Sequence, residues 1–319
     1  MNKVRRISWE QLIVSMLVVS CVFFTVSCGE DEADEIVKKA EETTEPEETE
    51  EEEEKEVVES DLVEGVDYFL PNIDLNNWKV TLPVGNPTEV EPPEILDYAT
   101  NETLLPFMYN DSTDGSLVFY TYPGATTNNT KYSRTELREQ MVSGSNSTNW
   151  TFAEGAYMKG TLALDTISKE SDGDYHRTII MQIHGRLTNE QRDLIGEDDN
   201  NAPPVLKIYW NDGYVRVHTK YLKDLDATDT EALHTDAWGD LTGVNFDEKV
   251  DFDKFTLEVK VSDGKMEITL NDDQTMVYDD IHMERWGIFE NYFKAGNYLT
   301  ALDEDAFAKV KYYDLEVSH

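Results

Sequence analysis

The sequence predicts an all-β fold, a β-sandwich or jelly roll of two antiparallel sheets with a concave groove. From about residue 65 onward, short alternating or apolar segments are separated by turns rich in Gly, Asn and Asp. Many short strands divided by such turns are typical of a sandwich. Stretches with the helical period are few, and no repeat of fixed length is present.

The clearest strand signal is a hairpin around Asn211-Asp212-Gly213, between apolar residues 205–210 and the alternating residues 214–220. Two long polar stretches, 185–204 and about 221–250, are predicted to be irregular. Loops of this length in a compact domain are commonly functional, so we expect them to wall or cover the groove. The other predicted strands are 117–122, 255–261, 266–270 and 310–317.

The N-terminal residues have the layout of a secretory signal. Lys3, Arg5 and Arg6 precede an apolar run over 12–26, which ends at Ser27-Cys28-Gly29. Residues 25–28 resemble a bacterial lipobox, with Thr in place of the usual Leu. We therefore predict a signal peptide over 1–28 and lipidation of Cys28; ordinary cleavage or an uncleaved anchor are the alternatives.

A low-complexity acidic segment follows. Residues 30–59 contain 17 Asp or Glu against 3 Lys, a net charge of −14. Such a segment buries too little apolar surface to fold and repels itself. We predict a disordered tether over 29–64 and a single monomeric catalytic domain over 65–319. The acidic residues after the cysteine also resemble the surface-export signal of some Bacteroidetes lipoproteins, which predicts an exported protein anchored in the outer membrane at the cell surface; a generic solvated spacer is the alternative.

The net charge narrows the class of partner. The whole chain carries −39; with +2 assigned to residues 1–28 and −14 to the acidic segment, about −27 remains from residue 60 onward. A domain this acidic repels nucleic acid and anionic lipid surfaces. An anionic polysaccharide could bind only if cations were concentrated in one groove.

Three short segments place polar groups on alternate residues, and alternate residues of a strand share a face. The first is 133–139, with Arg134, Glu136 and Arg138. The second is Gln182-Ile183-His184, in a strand whose apolar Ile179, Met181 and Ile183 alternate with Thr178, Gln182 and His184. The third is 292–298, with Tyr292, Lys294 and Tyr298.

In this order, the three segments resemble the alginate lyases of polysaccharide lyase family 7, whose blocks read R-(S/T)-E-L-R, Q-(I/V)-H and Y-F-K-A-G-x-Y. The resemblance extends from about residue 65 to the C-terminus. It implies that Arg134, Gln182, His184 and Tyr298 are catalytic and that alginate is cut by β-elimination. Gln-Ile-His further implies acceptance of guluronate. Asn297 and Leu299-Thr300 depart from the family pattern, which puts substrate preference in question.

The chemistry of these groups fits that reaction. Arg134 and Gln182 would neutralise the uronate carboxylate beside C5, His184 would accept the C5 proton, and Tyr298 would donate to the leaving oxygen. In some family members the tyrosine serves as both base and acid. We expect Lys294 and Arg138 to favour the phenolate, and Glu136 to pair with Arg134 or Arg138, in a supporting or a purely structural salt bridge.

A second set of residues extends the predicted groove. Arg216, His218 and Lys220 alternate on one strand of the hairpin, and Lys207 can lie beside them on the other. Either they bind substrate or they form an ordinary solvent-facing strand. The predicted substrate-binding residues are Glu136, Arg138, Lys207, Arg216, His218, Lys220, Tyr292 and Lys294.

Two other functions compete with the lyase. A sandwich-fold glycoside hydrolase needs two carboxylates roughly 5–10 Å apart, but no Glu-x-Asp-x-Glu strand occurs outside the tether. A surface polysaccharide-binding lipoprotein or adhesin would not need His184 and Tyr298 with the arginines. The six histidines lack metal-ligand spacing, and the acidic residues 197–200 lack EF-hand spacing. No metal or other cofactor is therefore predicted.

Overall fold

The computed structural model describes residues 3–6, 71–127 and 130–319. Over these residues the chain forms two large sheets packed face to face, and the predicted all-β sandwich is confirmed. Apart from Lys3–Arg6, the predicted signal peptide lies outside the described residues, as do Cys28 and the predicted tether.

The first sheet, sheet A, is mostly antiparallel. Its edge strand β1 (Lys3–Arg6) pairs in parallel with β17 (Gln274–Tyr278), and β2 (Asn72–Ile73) adds in parallel to β19 (Ala308–Ser318). In spatial order its strands are β1 (Lys3–Arg6), β17 (Gln274–Tyr278), β16 (Lys265–Leu270), β15 (Phe255–Ser262), β9 (Ala156–Ile167), β19 (Ala308–Ser318), β6 (Ser116–Thr121) and β5 (Met108–Asp111), with β2 (Asn72–Ile73) beside β19.

The second sheet, sheet B, carries all three of the polar segments. Its pairs are antiparallel throughout the described residues. In spatial order its strands are β13 (Trp238–Asp240), β12 (Tyr214–Leu222), β11 (Asn201–Asn211), β10 (Arg177–Arg186), β18 (Glu290–Leu299), β7 (Arg134–Glu139), β3 (Trp78–Thr81) and β4 (Glu89–Val90), with β14 (Val244–Lys249) beside β12 and β8 (Trp150–Thr151) beside β18.

The predicted hairpins are confirmed, and their strands are longer than the sequence suggested. In the turn between β11 and β12, Asp212 and Gly213 both have positive φ, +50° and +83°. This conformation suits the right-handed twist of the paired strands and favours Gly. The turn between β15 and β16 consists of Asp263 and Gly264.

Both stretches predicted to be irregular contain regular structure, so that prediction was wrong. In the first stretch, β10 continues to Arg186. Helix α1 (Asn189–Ile195) follows, with a capping box between Thr188 and Gln191 and a left-handed Gly196 at its end. These are recognisable helix signals. The second stretch contains α2, β13 and β14. The helices of the described chain are α1 (Asn189–Ile195), α2 (Asp229–Ala232) and α3 (Ile281–Trp286), with 3₁₀ turns at Glu94–Asp97 and Thr235–Ala237. None of these helices has the length and apolar character needed to cross a bilayer.

The core lies between the sheets. Behind β10 and β18 it contains a few buried polar groups that are hydrogen-bonded to one another. Tyr312 of β19 is fully buried; its hydroxyl accepts from the Gly296 N–H at 3.3 Å and donates to the Ile180 carbonyl at 2.5 Å. Gly296 has φ +133°, and a Cβ there would approach the Thr135 carbonyl to 2.8 Å. This position therefore requires glycine.

Asn297 also faces the core. Its Nδ2 donates to the carbonyls of Phe119 and Ala308 in sheet A, at 2.9 and 2.8 Å, and its Oδ1 accepts from Thr178 Oγ1 at 2.7 Å. Leu299 is buried as well. The departures from the family pattern at these two positions therefore lie in the core, between the two sheets.

A β-bulge in β10 changes the phase of its alternation. The register with both neighbouring strands shifts between Ile179 and Met181. Gln182 and His184 remain on the outer face of sheet B as predicted, whereas Thr178 is turned into the core. Grouping Thr178 with Gln182 was therefore wrong, because one extra residue reverses the faces on one side of the bulge.

Candidate active site

Six strands of sheet B carry one continuous row of cationic and polar side chains. Each member is the cross-strand partner of the next, so neighbouring Cα atoms are roughly 5 Å apart. We call this set the central row. From β3 to β12 it consists of Lys79, Arg138, Lys294, Gln182, Lys207 and His218.

A second row, the flanking row, lies beside it on the same face. Its members are also cross-strand partners, and two of them are predicted catalytic residues. From β7 to β12 it consists of Arg134, Tyr298, Ile179, Tyr209 and Arg216. On the other side of the central row, His184 of β10 is the partner of Tyr292 of β18. The four predicted catalytic residues thus lie on three adjacent strands, β7, β18 and β10.

A cavity of about 550 Å³ opens over this face. We call it the groove. Its walls include residues 199–204 and Thr235, which come from the two long stretches that were predicted to be irregular. The predicted site residues that line it are Arg134, Arg138, His184, Lys220, Tyr292 and Lys294.

His184 is held in one tautomer. Its Nδ1 is 2.9 Å from the Gly185 carbonyl, which can only accept, so Nδ1 carries the proton and Nε2 has a free lone pair. The imidazole stacks on the Tyr292 ring, with centroids 5.2 Å apart and planes 13° apart. Burial, together with the cations Lys294, Arg134 and Lys207, lowers the pKa of His184 to about 3. The side chain is therefore neutral at pH 7 and can accept a proton.

Tyr298 is held in its protonated form. Burial raises the pKa of Tyr298 to about 12, although Arg134 acts in the opposite direction. The Arg134 guanidinium lies 5.2 Å from the centre of the Tyr298 ring. Our expectation that Lys294 and Arg138 would favour the phenolate was wrong: Lys294 contacts Glu136, and Arg138 packs on Tyr292. A neutral phenol is suited to donate a proton.

Glu136 is the buried centre of the cationic cluster, with 1% of its surface exposed. It lies opposite Gly296 on β18. Its Oε1 accepts from Gln182 Nε2 at 2.5 Å, and its Oε2 contacts Lys294 and lies 3.8 Å from Arg134 Nη1. The expected pairing with Arg134 is present, but Gln182 and Lys294 are its nearer partners.

The Gln182 amide was expected to bind the uronate carboxylate, but part of it is already hydrogen-bonded to Glu136. Gln182 is 2% exposed, and one of its two amide N–H groups is used by Glu136. Because an ionised carboxylate only accepts hydrogen bonds, this contact fixes the amide with its nitrogen toward Glu136. One N–H remains for a substrate carboxylate.

Lys294 has an unusual protonation equilibrium. Burial and the nearby Arg134 lower the pKa of Lys294 to about 8, although Glu136 favours the charged form. It is therefore a cation at neutral pH that loses its charge under mildly basic conditions.

The predicted stripe on β11 and β12 lies on the same face. Burial lowers the pKa of Lys207, and burial with the nearby Arg216 lowers the pKa of His218 to about 4. Arg216 donates to Asn245 Oδ1 at 2.8 Å, and Lys220 pairs with Asp240 at 2.8 Å. His218 is therefore neutral at pH 7.

Several residues that line the groove were not predicted from the sequence. Arg186 pairs with Glu290 at 2.6 Å, and Lys79 pairs with Glu89 at 2.6 Å. Both were accessible to the alternation argument, since Arg186 is two residues beyond His184 and Lys79 lies between the buried Trp78 and Val80. The others are Thr127, Thr130 and Asn146, for which no strand pattern was available. Over the described residues, no group of three or more His, Cys, Asp or Glu is arranged to hold a metal ion.

The family model for alginate lyases matches residues 73–319. The chain belongs to the alginate lyases of polysaccharide lyase family 7. Among solved structures, this lyase resembles alginate lyase A1-II' at 29% identity and a TM-score of 0.62, over 78% of this chain and 96% of that chain. A comparison with curated proteins gave no match.

Two further structures are informative. One is a variant of A1-II' with a histidine changed to asparagine and a tyrosine to phenylalanine, in complex with a substrate denoted GGMG; it is 28% identical, with a TM-score of 0.62, over 78% of this chain and 94% of that chain. The other, an alginate lyase from Pseudomonas aeruginosa, is 21% identical with a TM-score of 0.59, over 77% of this lyase and 100% of that chain. At that identity the likeness supports the fold alone.

Proposed function

We propose that this lyase cleaves alginate by β-elimination, with His184 as base and Tyr298 as acid. The observation that carries the proposal is that a neutral imidazole and a protonated phenol lie on the same face of adjacent strands, together with an arginine and a lysine. The family match and the substrate complex of A1-II' support the same reaction.

In the proposed step, the Arg134 guanidinium and the free N–H of Gln182 hold the uronate carboxylate. They stabilise the negative charge that develops when the C5 proton leaves. His184 Nε2 takes that proton, the electron pair forms the C4–C5 double bond, and the C4–oxygen bond breaks. Tyr298 gives its proton to the departing oxygen. The products are a shortened chain and an unsaturated oligosaccharide.

The low pKa of His184 belongs to the substrate-free groove. Lys294, Arg134 and Lys207 disfavour a second proton on the imidazole. A bound uronate brings negative charge next to those cations and so raises the basicity of His184 when catalysis requires it. The cations thus serve both to bind the carboxylate and to keep the base unprotonated before binding.

The activity test is incubation of the purified full chain with poly-mannuronate, poly-guluronate and pectate, followed by ultraviolet absorbance of the new double bond. We expect absorbance to rise with alginate substrates and not with pectate. No rise with any uronate polymer would contradict the lyase function. Binding of alginate without turnover would favour a non-catalytic polysaccharide-binding lipoprotein.

Acceptance of guluronate-containing blocks is part of the proposal. It is supported by the Gln-Ile-His segment and by the A1-II' complexes, whose substrate and product are denoted GGMG and GGG. Ile183 is fully buried on the core side, so any influence on preference would act through the placement of Gln182 and His184. No turnover of poly-guluronate, with poly-mannuronate cleaved, would contradict it.

The same proposal includes export, lipid attachment at Cys28 and a monomeric enzyme at the outer membrane surface. It is supported by the basic, apolar and lipobox-like order of residues 3–28 and by the acidic segment that follows. Cys28→Ser is expected to release the enzyme from the membrane fraction. Retention of the variant in that fraction would contradict lipid anchoring.

A basic pH limit is predicted from Lys294. Its ammonium is charged below about pH 8 and neutral above, and the neutral form attracts a uronate less strongly. We therefore expect kcat/KM to fall as the pH rises past about 8. Lys294→Arg should move this limit upward, because arginine stays charged. An unchanged limit in that variant would show that another group sets it.

A further inference from the structure

The guanidinium of Arg138 is already committed to the protein. Its Nη1 donates to the Glu139 carbonyl at 2.5 Å, and its Nη2 donates to the Asn146 carbonyl at 3.0 Å and to Asn149 Oδ1 at 2.9 Å. A two-donor grip on a carboxylate uses either the Nη1 and Nη2 edge or the Nε and Nη2 edge. Both edges include Nη2, so neither is free for a uronate.

Arg138 packs instead on an aromatic ring. Its Cζ lies 4.1 Å from the centre of the Tyr292 ring, a distance at which a cation interacts favourably with the ring face. Only 7% of Arg138 is exposed. Arg138 belongs to the central row, but its guanidinium is held by the protein and is not free to grip a carboxylate.

The Tyr292 ring in turn contacts the proposed base. The imidazole of His184 stacks on it at 5.2 Å, nearly parallel. The strand order β10, β18, β7 places Tyr292 between His184 and Arg138. The three side chains therefore form a continuous series, which we call the base stack: Arg138, Tyr292 and His184.

Base catalysis depends on the direction of His184 Nε2. The Nδ1 contact with the Gly185 carbonyl fixes the tautomer but leaves the ring free to tilt about that bond. Stacking on Tyr292 limits the tilt, and Arg138 limits the movement of Tyr292. A misplacement of roughly 1 Å can cost on the order of 10²-fold in rate.

We propose that Arg138 is a positioning residue that acts on His184 through the Tyr292 ring, and that it does not bind a uronate carboxylate directly. This inference rests on the proposed function, because it assigns Arg138 a role in the geometry of the base. It replaces the expected role of Arg138 as a substrate ligand.

Steady-state kinetics of the full chain on alginate distinguish the two roles. Arg138→Lys and Tyr292→Leu should each lower kcat by about 10- to 100-fold, with KM within about threefold. Tyr292→Phe keeps the ring and should keep kcat within about threefold. Because both residues act through one stack, the Arg138→Lys/Tyr292→Leu double variant should be little worse than either single variant.

The matched control is Lys207→Met, which removes a cation of the same row that is outside the base stack. It should raise KM with less effect on kcat. A rise in KM at unchanged kcat for Arg138→Lys, or additive losses in the double variant, would overturn the proposal and make Arg138 a substrate ligand.

A measurement without substrate separates this proposal from the lyase assignment. In the NMR spectrum of the free enzyme, the ring protons of His184 should be shifted upfield by the Tyr292 ring. Tyr292→Leu should abolish the shift and Arg138→Lys should reduce it. An unchanged shift in Arg138→Lys would refute the positioning role even in an active enzyme, and the expected changes would support it even if no turnover were found.

Discussion

Tyr298→Phe is expected to lower kcat by about 10²- to 10⁴-fold, which is the usual contribution of a positioned general acid. The variant removes only the hydroxyl, so the ring remains beside Arg134. KM should change little, because the leaving oxygen accepts the proton mainly in the transition state. The measurement is the initial rate of ultraviolet absorbance increase at saturating alginate.

The matched control is Tyr209→Phe. Tyr209 belongs to the same flanking row and contacts His218, but it is not next to Arg134 in that row. It should retain kcat within a few-fold. If Tyr298→Phe kept more than about a tenth of the normal kcat, the leaving oxygen would be protonated by another group and our assignment of the acid would be wrong.

The second large effect is expected for His184→Ala. Loss of the imidazole removes the base and should lower kcat by about 10²- to 10⁴-fold. Because the substitution leaves a space beside Tyr292, added imidazole should restore part of the activity, and this restoration should increase with the fraction of unprotonated imidazole. The rate is measured at several imidazole concentrations and pH values.

His218→Ala provides the comparison, since His218 is also neutral and lies at the end of the central row. It should alter KM more than kcat. Two results would contradict the assignment of the base: near-normal turnover in His184→Ala, or a larger loss of kcat in His218→Ala. The first result would move the base to another residue, with Tyr298 the first to consider, and the second would move it to His218.

Alternation along single strands was enough to predict the outer face of sheet B. Arg134, Glu136 and Arg138 share a face because β7 is regular, and the hairpin of β11 and β12 was predictable from its Asn-Asp-Gly turn. The bulge in β10 was not predictable in this way. Next to it, the Tyr312 hydroxyl of the opposite sheet donates to the Ile180 carbonyl and accepts from the Gly296 N–H, a contact that no single strand's pattern reveals.

The partners of the charged residues could not be predicted, because they depend on which strands are neighbours. Glu136 lies near Gln182 and Lys294 only because β18 pairs with both β7 and β10. Arg138 is bound by Asn146 and Asn149, which lie in an irregular segment without a strand or helix pattern. By contrast, the capping box and the terminal glycine of helix α1 are both visible in the sequence, so this helix was predictable.

The structure shows how a domain with a strongly negative net charge can present a cationic surface. The catalytic region carries about −27, yet sheet B gathers its cations from separate segments onto one face. Glu136, buried at the centre of that face, holds Gln182 and Lys294 in place. An anionic polymer therefore meets a cationic groove on a negative protein, and added salt should weaken both the attraction and the repulsion.

In the proposed mechanism, Arg134, Gln182, His184 and Tyr298 surround a single sugar ring. The most direct test is a crystal structure of Tyr298→Phe with an alginate tetrasaccharide bound. We expect one uronate carboxylate within hydrogen-bond distance of Arg134 and Gln182, and its C5 about 3 to 3.5 Å from His184 Nε2. A carboxylate held elsewhere, or a C5 atom out of reach of His184, would contradict the proposed mechanism.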